Sequence, residues 1–184
     1  MTHGGDDKMQ GELLSNVTTI EDEQIMIRPV RADDKDAFLR ILEENSEFPK
    51  AFGIEGYREN LWDVNLNDED RIAMMVFLKE TGWHIGNCTF RGIGADTVHI
   101  GIGITGLLQN KGYGTKVLSL LVDYLQRKAP DRRHLIRTKS NNLRCQRMIR
   151  KVGGKKVGEE ATDLDKILDH LRSSLKRDGF TKKA

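Results

Sequence analysis

Cysteine is scarce in this chain: 184 residues hold two, Cys88 and Cys145, far apart and without companion spacing. That excludes a disulfide framework and a cysteine zinc site. The five histidines are scattered and form neither an HxH nor an HExxH pattern, so no metal site is expected. No stretch approaches the roughly 18 consecutive apolar residues that a membrane span needs. The opening MTHGGDDKMQGELL has no basic segment followed by an apolar one, so no secretory signal is expected. Excess charge of one sign is also missing. Thirty Lys and Arg against 28 Asp and Glu leave a net charge of +2, which by itself gives no reason to expect nucleic acid as a partner. The expected setting is a reducing cytoplasm, with no membrane attachment.

What is present is the balance of a globular chain, 38% hydrophobic and 32% charged, of a length that suits one domain. Residues 1–23 are rich in Gly, Asp and Glu and read as a flexible, loosely docked arm. Gln24 to Pro29 reads as a short strand. Ala37, Phe38, Ile41 and Leu42 form a helical stripe, and Tyr57, Leu61 and Trp62 form a second one after Gly56. Residues 71–79 and 83–91 are two strands joined by Glu80-Thr81-Gly82. Residues 97–104 (TVHIGIGI) alternate with period 2: Val98, Ile100, Ile102 and Ile104 share one face, and His99, Gly101 and Gly103 share a nearly bare one.

Residues 115–128 are a strong helix with Val117, Leu118, Leu121, Tyr124 and Leu125 inward. Residues 134–138 are a strand, and Ser140-Asn141-Asn142 offers caps for a helix to about Lys151. Residues 155–158 suit a short strand. Thr162 can cap a final helix carrying Leu164, Ile167, Leu168, Leu171 and Leu175 at helical spacing. The order predicts a mixed α/β (α+β) domain over 24–160: a meander of antiparallel strands, then a crossover unit, then a C-terminal helix and tail over 161–184.

Two glycine patterns overlap. Gly101 to Gly106 matches GxGxxG literally, but it lies inside a strand and the helix begins about ten residues later, so a dinucleotide fingerprint is disfavoured. Gln109-Asn110-Lys111-Gly112-Tyr113-Gly114 instead stands between a strand and a helix N-terminus, followed by Thr115. There the loop and the first helical N–H groups can converge on a phosphate, glycines leave the backbone bare, and Lys111 adds a charge. The same hexapeptide also suits a plain strand-to-helix turn.

The surroundings carry a resemblance. HIGIGITGLLQNKGYGTKVLSLLVDYL, followed by NNLRCQRMIRKVGG, resembles the GCN5-related N-acetyltransferase (GNAT) superfamily over roughly Ile25 to Gly158. In the second motif, N-x-x-[SA]-x-x-x-[YF]-x-K-x-G-F, Asn142, Cys145, Lys151 and Gly153 fall on the Asn, small, Lys and Gly positions. The resemblance implies a mostly antiparallel sheet flanked by helices and an acetyl-CoA site in a V-shaped opening between the strands at 97–104 and 134–138. The backbone of Ile102, Gly103 and Ile104 would edge the pantetheine arm, Gln109 to Thr115 would hold the diphosphate, and Asn142 would reach the pantetheine amides. It implies transfer of an acetyl group to an amine of a protein N-terminus or small molecule. IGIGI…QNKGYGT is most similar to the branch acting on ribosomal-protein N-termini.

The chain also departs from the pattern. The usual Tyr acid falls on Ile149 and the usual Phe on Gly154. Cys145, one turn earlier, is the nearest ionisable candidate donor, although a small packed thiol in a position often held by Ser or Ala is the stronger reading. His99, where similar enzymes often carry Glu, is the candidate base, and an ordinary half-buried histidine explains it equally; His84, Glu80, Glu159 and Glu160 are weaker candidates. Glu43, Glu44, Glu55 and Glu59 lie near the expected acceptor side, where they are either a draw for a cationic amine or a solvated face. The final leucine-striped helix stands where the family closes its sheet with a strand. It either covers an open sheet edge or pairs with a second copy as a homodimer, and both readings stay open. A catalytically weak acyl-CoA-binding or sensor module of the same fold is the alternative function.

Overall fold

Residues 97–104 alternate apolar and bare positions, whereas 72–78 are a continuous apolar run covered on both faces, and the order of the strands along the chain becomes their order in space. The computed structural model describes Leu14, residues 16–46 and residues 49–159. It contains β1 (Ile20–Glu21), β2 (Ile25–Pro29), α1 (Lys35–Asn45), α2 (Tyr57–Asn67), β3 (Arg71–Leu78), β4 (His84–Arg91), β5 (Thr97–Ile104), α3 (Tyr113–Lys128), β6 (Arg133–Leu135) and α4 (Leu143–Lys151). The six strands form one sheet in the order β1-β2-β3-β4-β5-β6. Neighbours are antiparallel except β5 and β6, which run parallel because α3 carries the chain back across the sheet. The fold is therefore mixed α/β with a mostly antiparallel sheet flanked by helices.

The alternation sorts side chains to two faces. On one, Ile25, Ile27, Met74, Val76, Phe90, Val98, Ile100 and Ile104 pack with Val117, Leu118, Leu121 and Leu125 of α3. On the other, Phe38 and Leu39 of α1 and Trp62 of α2 cover Ala73 and Met75 of β3. Phe38 and Trp62 meet edge to face, with centroids 5.8 Å apart. Arg28 and Asp34 make a two-bond fork at 2.7 and 2.9 Å that fastens β2 to the turn before α1.

Four expectations need correction. The supposed arm contributes core from Leu14 onward: Leu14, Val17 and Ile20 are buried, and β1 pairs with β2. Their i, i+3, i+6 spacing delivers three apolar side chains to one place. α3 begins at Tyr113, two residues early, because Gly112 at φ 90° turns the chain directly into the helix. The strand expected at 134–138 is the three-residue β6, which stops at Leu135. Residues 155–158 form no strand; they are exposed apart from any ladder partner. The final helix expected after Thr162, and with it the tail over 161–184, lies outside the described residues. Among the described residues no helix is long and apolar enough to cross a membrane.

His84 shows how the α1 face is fixed. The buried Asn87 amide donates to Phe38 O at 2.6 Å, which tethers α1 to β4 and sets the amide's orientation. Its Oδ1 and Gly86 O then both lie 2.9 Å from His84 Nε2. Two acceptors require Nε2 to carry the proton, so Nδ1 is the bare nitrogen, and it is buried without a partner. Burial holds the His84 pKa below the ordinary imidazole value. The folded protein thus binds fewer protons here than the unfolded chain. Stability is full above about pH 7 and falls as pH drops through about 6.5. Urea denaturation at pH 7.5 and 5.5 should show that loss, and His84→Gln should lessen it.

Candidate functional site

β5 and β6 pair only at Thr97↔Arg133, Val98↔His134 and His99↔Leu135. β5 then continues to Ile104 while the other chain leaves, so the two diverge from His99 onward. On the opposite side β5 stays paired with β4 to Gly86↔Ile104, and Thr105 N–H donates to Ile85 O at 2.9 Å. Backbone groups alternate sides along a strand. Odd-numbered residues therefore bond to β4, and Ile100, Ile102 and Ile104 point their N–H and C=O to the diverging side. The divergence lies where the resemblance implies a V-shaped opening.

Ile104 does not offer all of its edge. Its carbonyl accepts from Gln109 Nε2 at 2.9 Å and from Asn45 Nδ2 at 3.2 Å. Gln109 also donates to Asn45 Oδ1 at 3.3 Å and accepts from Arg144 of α4. Gln109, expected to line the phosphate loop, is thus a bolt joining β5, α1 and α4. Asn45 and Arg144 are partners that sequence reasoning missed. Asn45 lies 64 residues from Gln109 in the chain, and no local pattern marks it.

The bare face of β5 is partly filled. A Cβ at Gly103 would stand 3.1 Å from the Asn45 side chain, and one at Gly101 would stand 2.5 Å from Thr89 Oγ1. Close packing of α1 explains Gly103, rather than space for a ligand. His99 shares this face by parity, lies opposite Arg91 on β4, and is half-buried at the last pair before the strands part.

Beyond β5, the buried Leu108 anchors a short turn while Leu107 is 72% exposed. Asn110 (φ 64°) and Gly112 (φ 90°) both adopt the left-handed conformation, which Asn tolerates and Gly favours. The alternation turns the chain back onto α3. The first intrahelical bond of α3 runs from Lys116 N–H to Gly112 O at 3.1 Å. The N–H groups of Tyr113, Gly114 and Thr115 precede it and have no acceptor within the helix. Gly112 has no side chain to cap them. A Cβ at Gly112 would meet nothing within 4 Å, whereas one at Gly114 would stand 3.0 Å from Met148 Sδ of α4. Gly114 is also where α3, α4 and β5 approach closely. Lys111 is exposed, but Lys116 is turned away and engages Asp22 at 3.2 Å and Gln24 at 2.7 Å. Tyr113 packs against the core.

Asn142 caps α4: its Oδ1 accepts from Cys145 N–H at 3.0 Å. Met148, Ile149 and Val152 turn the helix toward the core, and the half-buried Cys145 shares their stripe. Cys88 is enclosed in the core on β4, and burial pushes its thiol pKa up. Asn142→Ala should lower stability by about 1 kcal/mol through loss of the cap, which thermal melting will show.

The remaining candidates do not converge. Glu80 is exposed in its turn and Glu159 pairs with Lys156; Glu160 lies outside the described residues. Glu43 pairs with Arg58 at 3.0 Å, Glu44 with Arg40 at 3.4 Å and Glu59 with Lys35 at 3.7 Å. Glu43 and Glu59 are thus paired at the surface and Glu55 is exposed, while Glu44 also accepts from Gly106 N–H at 3.2 Å and so reaches the turn after β5. Among the described residues no group of three potential metal ligands occurs.

A diverging parallel pair is thus followed by a glycine loop that opens a helix with unpaired N–H groups at its start. The family model of the GNAT acetyltransferase domain matches residues 24–155, and the chain belongs to that family. Similar solved structures include a domain from Methanocaldococcus jannaschii, at 23% identity and TM-score 0.62 over 76% of this chain and 93% of that one. A ribosomal-protein-S5-alanine acetyltransferase from Vibrio fischeri is 14% identical, with TM-score 0.56 over 74% and 82%. Spermidine N-acetyltransferase from Vibrio cholerae, in complex with CoA and spermine, is 16% identical, with TM-score 0.62 over 77% and 87%. No curated protein matches. Acyltransferase activity is what the family membership implies.

Proposed function

We propose that this protein transfers an acetyl group from acetyl-CoA to a primary amine, of a protein N-terminus or a small molecule. The observation that carries the reading is the free edge of β5 beyond His99↔Leu135, continuing into the uncapped N-terminus of α3. The residues present fit acetyl-CoA. Ile102 offers an edge N–H and C=O to an amide-bearing arm, with Gly103 beside it and the N–H of Ile104 next along. Asn110 to Thr115 offer backbone donors and the positive end of the α3 dipole to a diphosphate. Asn142 uses its Oδ1 in the cap and would present its amide N–H to the arm.

When bound, acetyl-CoA supplies an acyl thioester carbon open to attack by a neutral amine. The chain's part is to hold that group beside the acceptor and to move the amine proton. His99, at the point of divergence, is the candidate proton acceptor. Cys145, on the inward face of α4, is the candidate donor to the departing thiol. Similarity to ribosomal-protein acetyltransferases supports a protein N-terminus as acceptor, and the spermine complex of another neighbour supports a polyamine. We infer a cytoplasmic protein, and the leucine-striped C-terminal segment remains our candidate for a homodimer contact.

One observation favours a catalytically weak acyl-CoA-binding module instead. Ile149 packs on the core where the family often places a tyrosine acid. Incubation with acetyl-CoA and a panel of amino-terminal peptides and polyamines, with release of free thiol as the readout, tests both. Turnover supports the transferase; acetyl-CoA binding without turnover on any amine supports the module.

A further inference from the structure

The net charge of +2 conceals a division of the chain. From Arg132 to Gly158 there are ten Lys and Arg and no Asp or Glu. The rest of the chain therefore carries 20 Lys and Arg against 28 acids, a formal charge of −8 against +10. The fold gathers much of the positive segment on α4. Cys145, Met148, Ile149 and Val152, at i, i+3, i+4 and i+7, form its inward stripe. Arg147, Arg150 and Lys151 occupy the opposite side, and all three are exposed. Among the described residues no carboxylate is within ion-pair distance of them. Lys139 before the helix and Lys155 after it are exposed as well. Nothing in the acetyl-transfer reading uses these five cations.

Such a surface repels other copies of itself and attracts a dense polyanion. Its arginines present forks that match phosphate oxygens in two places at once. The segment contains no Phe, Tyr or Trp, so it has no platform on which unpaired bases could stack. It also lacks the cluster of large apolar side chains with which a surface helix enters a bilayer.

We propose that the solvent face of α4 binds the phosphate backbone of a nucleic-acid duplex, without reading its sequence. Fluorescence anisotropy of a labelled 20-base-pair duplex, as RNA and as DNA of the same sequence, tests this on the full chain. Binding should be measurable at 50 mM salt and fall steeply by 200 mM, as counterion release requires. The Arg147→Ala, Arg150→Ala, Lys151→Ala triple variant should bind at least tenfold more weakly and reduce the slope of log affinity against log salt by about 3. Its thermal melt should match the parent's, which separates lost contacts from lost folding. Arg147→Lys with Arg150→Lys, which keeps the charge, should stay within a few-fold of the parent. Preference for RNA or for DNA identifies which duplex the face accepts. No binding at 50 mM salt, or equal binding by the alanine variant, overturns the proposal. Displacement by saturating CoA places the duplex at the glycine loop and overturns it too. Equal competition by polyglutamate at matched charge assigns the face to an acidic protein instead.

Discussion

Replacing Gly112 by Val and Gly114 by Leu together is expected to weaken acetyl-CoA binding at least 100-fold while leaving the protein folded. The two sites act for different reasons. Gly112 holds φ 90°, and a side chain there meets nothing within 4 Å. Its cost to the fold is conformational, about 1–2 kcal/mol, and the new side chain lies over the loop where a phosphate has to approach. Gly114 carries no backbone strain. A Cβ there would stand 3.0 Å from Met148 Sδ, the movable part of a flexible side chain, and 3.8 Å from Ile104. The fold can absorb the first carbons, whereas the donors of Tyr113 to Thr115 cannot be reached past them. Charge-assisted hydrogen bonds are worth about 1.5–3 kcal/mol each, so losing two exceeds 100-fold. Calorimetric titration of parent and variant reads the affinity, and circular dichroism checks the fold. Undiminished binding would take the diphosphate away from this loop.

The elements with strong periodicity were legible in the chain, and those that depend on a distant partner were not. β5 announces itself by TVHIGIGI because both its role in the core and its pairing with β4 follow from period 2. α3 is equally plain, since its inward residues recur at helical spacing and pack on that strand. The sequence at 134–138, with its adjacent Leu135 and Ile136, also reads as a strand, yet ordering a strand requires a neighbour. β5 and β6 part after Leu135, and the residues beyond have no ladder to join. That shortfall is the opening itself, so the failed strand and the candidate site are one feature.

Gln109 illustrates the opposite difficulty. Its place in Q/R-x-x-G-x-G suggested a ligand contact, but its amide is spent on Ile104 O, Asn45 and Arg144. Asn45 and Arg144 reach it only because the C-terminal end of α1 and the start of α4 both arrive beside β5. Gly103 reflects the same contact, its missing side chain making way for Asn45. The N-terminal segment erred for a third reason. Its Gly and Asp content suggested mobility, while Leu14, Val17 and Ile20 are all buried in the core.

His99→Ala is expected to lower kcat with the best amine about 100-fold and to leave acetyl-CoA affinity unchanged. The expected split follows from where the residue stands. His99 is the last β5 residue paired to β6, and its side chain shares the face of Gly101 and Gly103 rather than the edge formed by Ile102 and Ile104. Its side chain lies on a sheet face rather than on that edge or in the loop at 110–115, so donor binding is expected to be unchanged. What is lost is a group able to take the amine proton as the carbon–nitrogen bond forms, an effect of about 10²–10⁴ for general bases. The pH dependence separates this role from a structural one. A base works only unprotonated, so kcat/KM of the parent falls as pH drops through its pKa, and the His99→Ala profile should lose that acid limb. Cys145→Ala supplies the contrast: a thiol that only packs leaves kcat within a few-fold, whereas a proton donor to the departing thiol does not. A His99→Ala enzyme with the parent's acid limb intact would move the base to another residue. It would leave His99 as a half-buried imidazole at the point where the two strands separate.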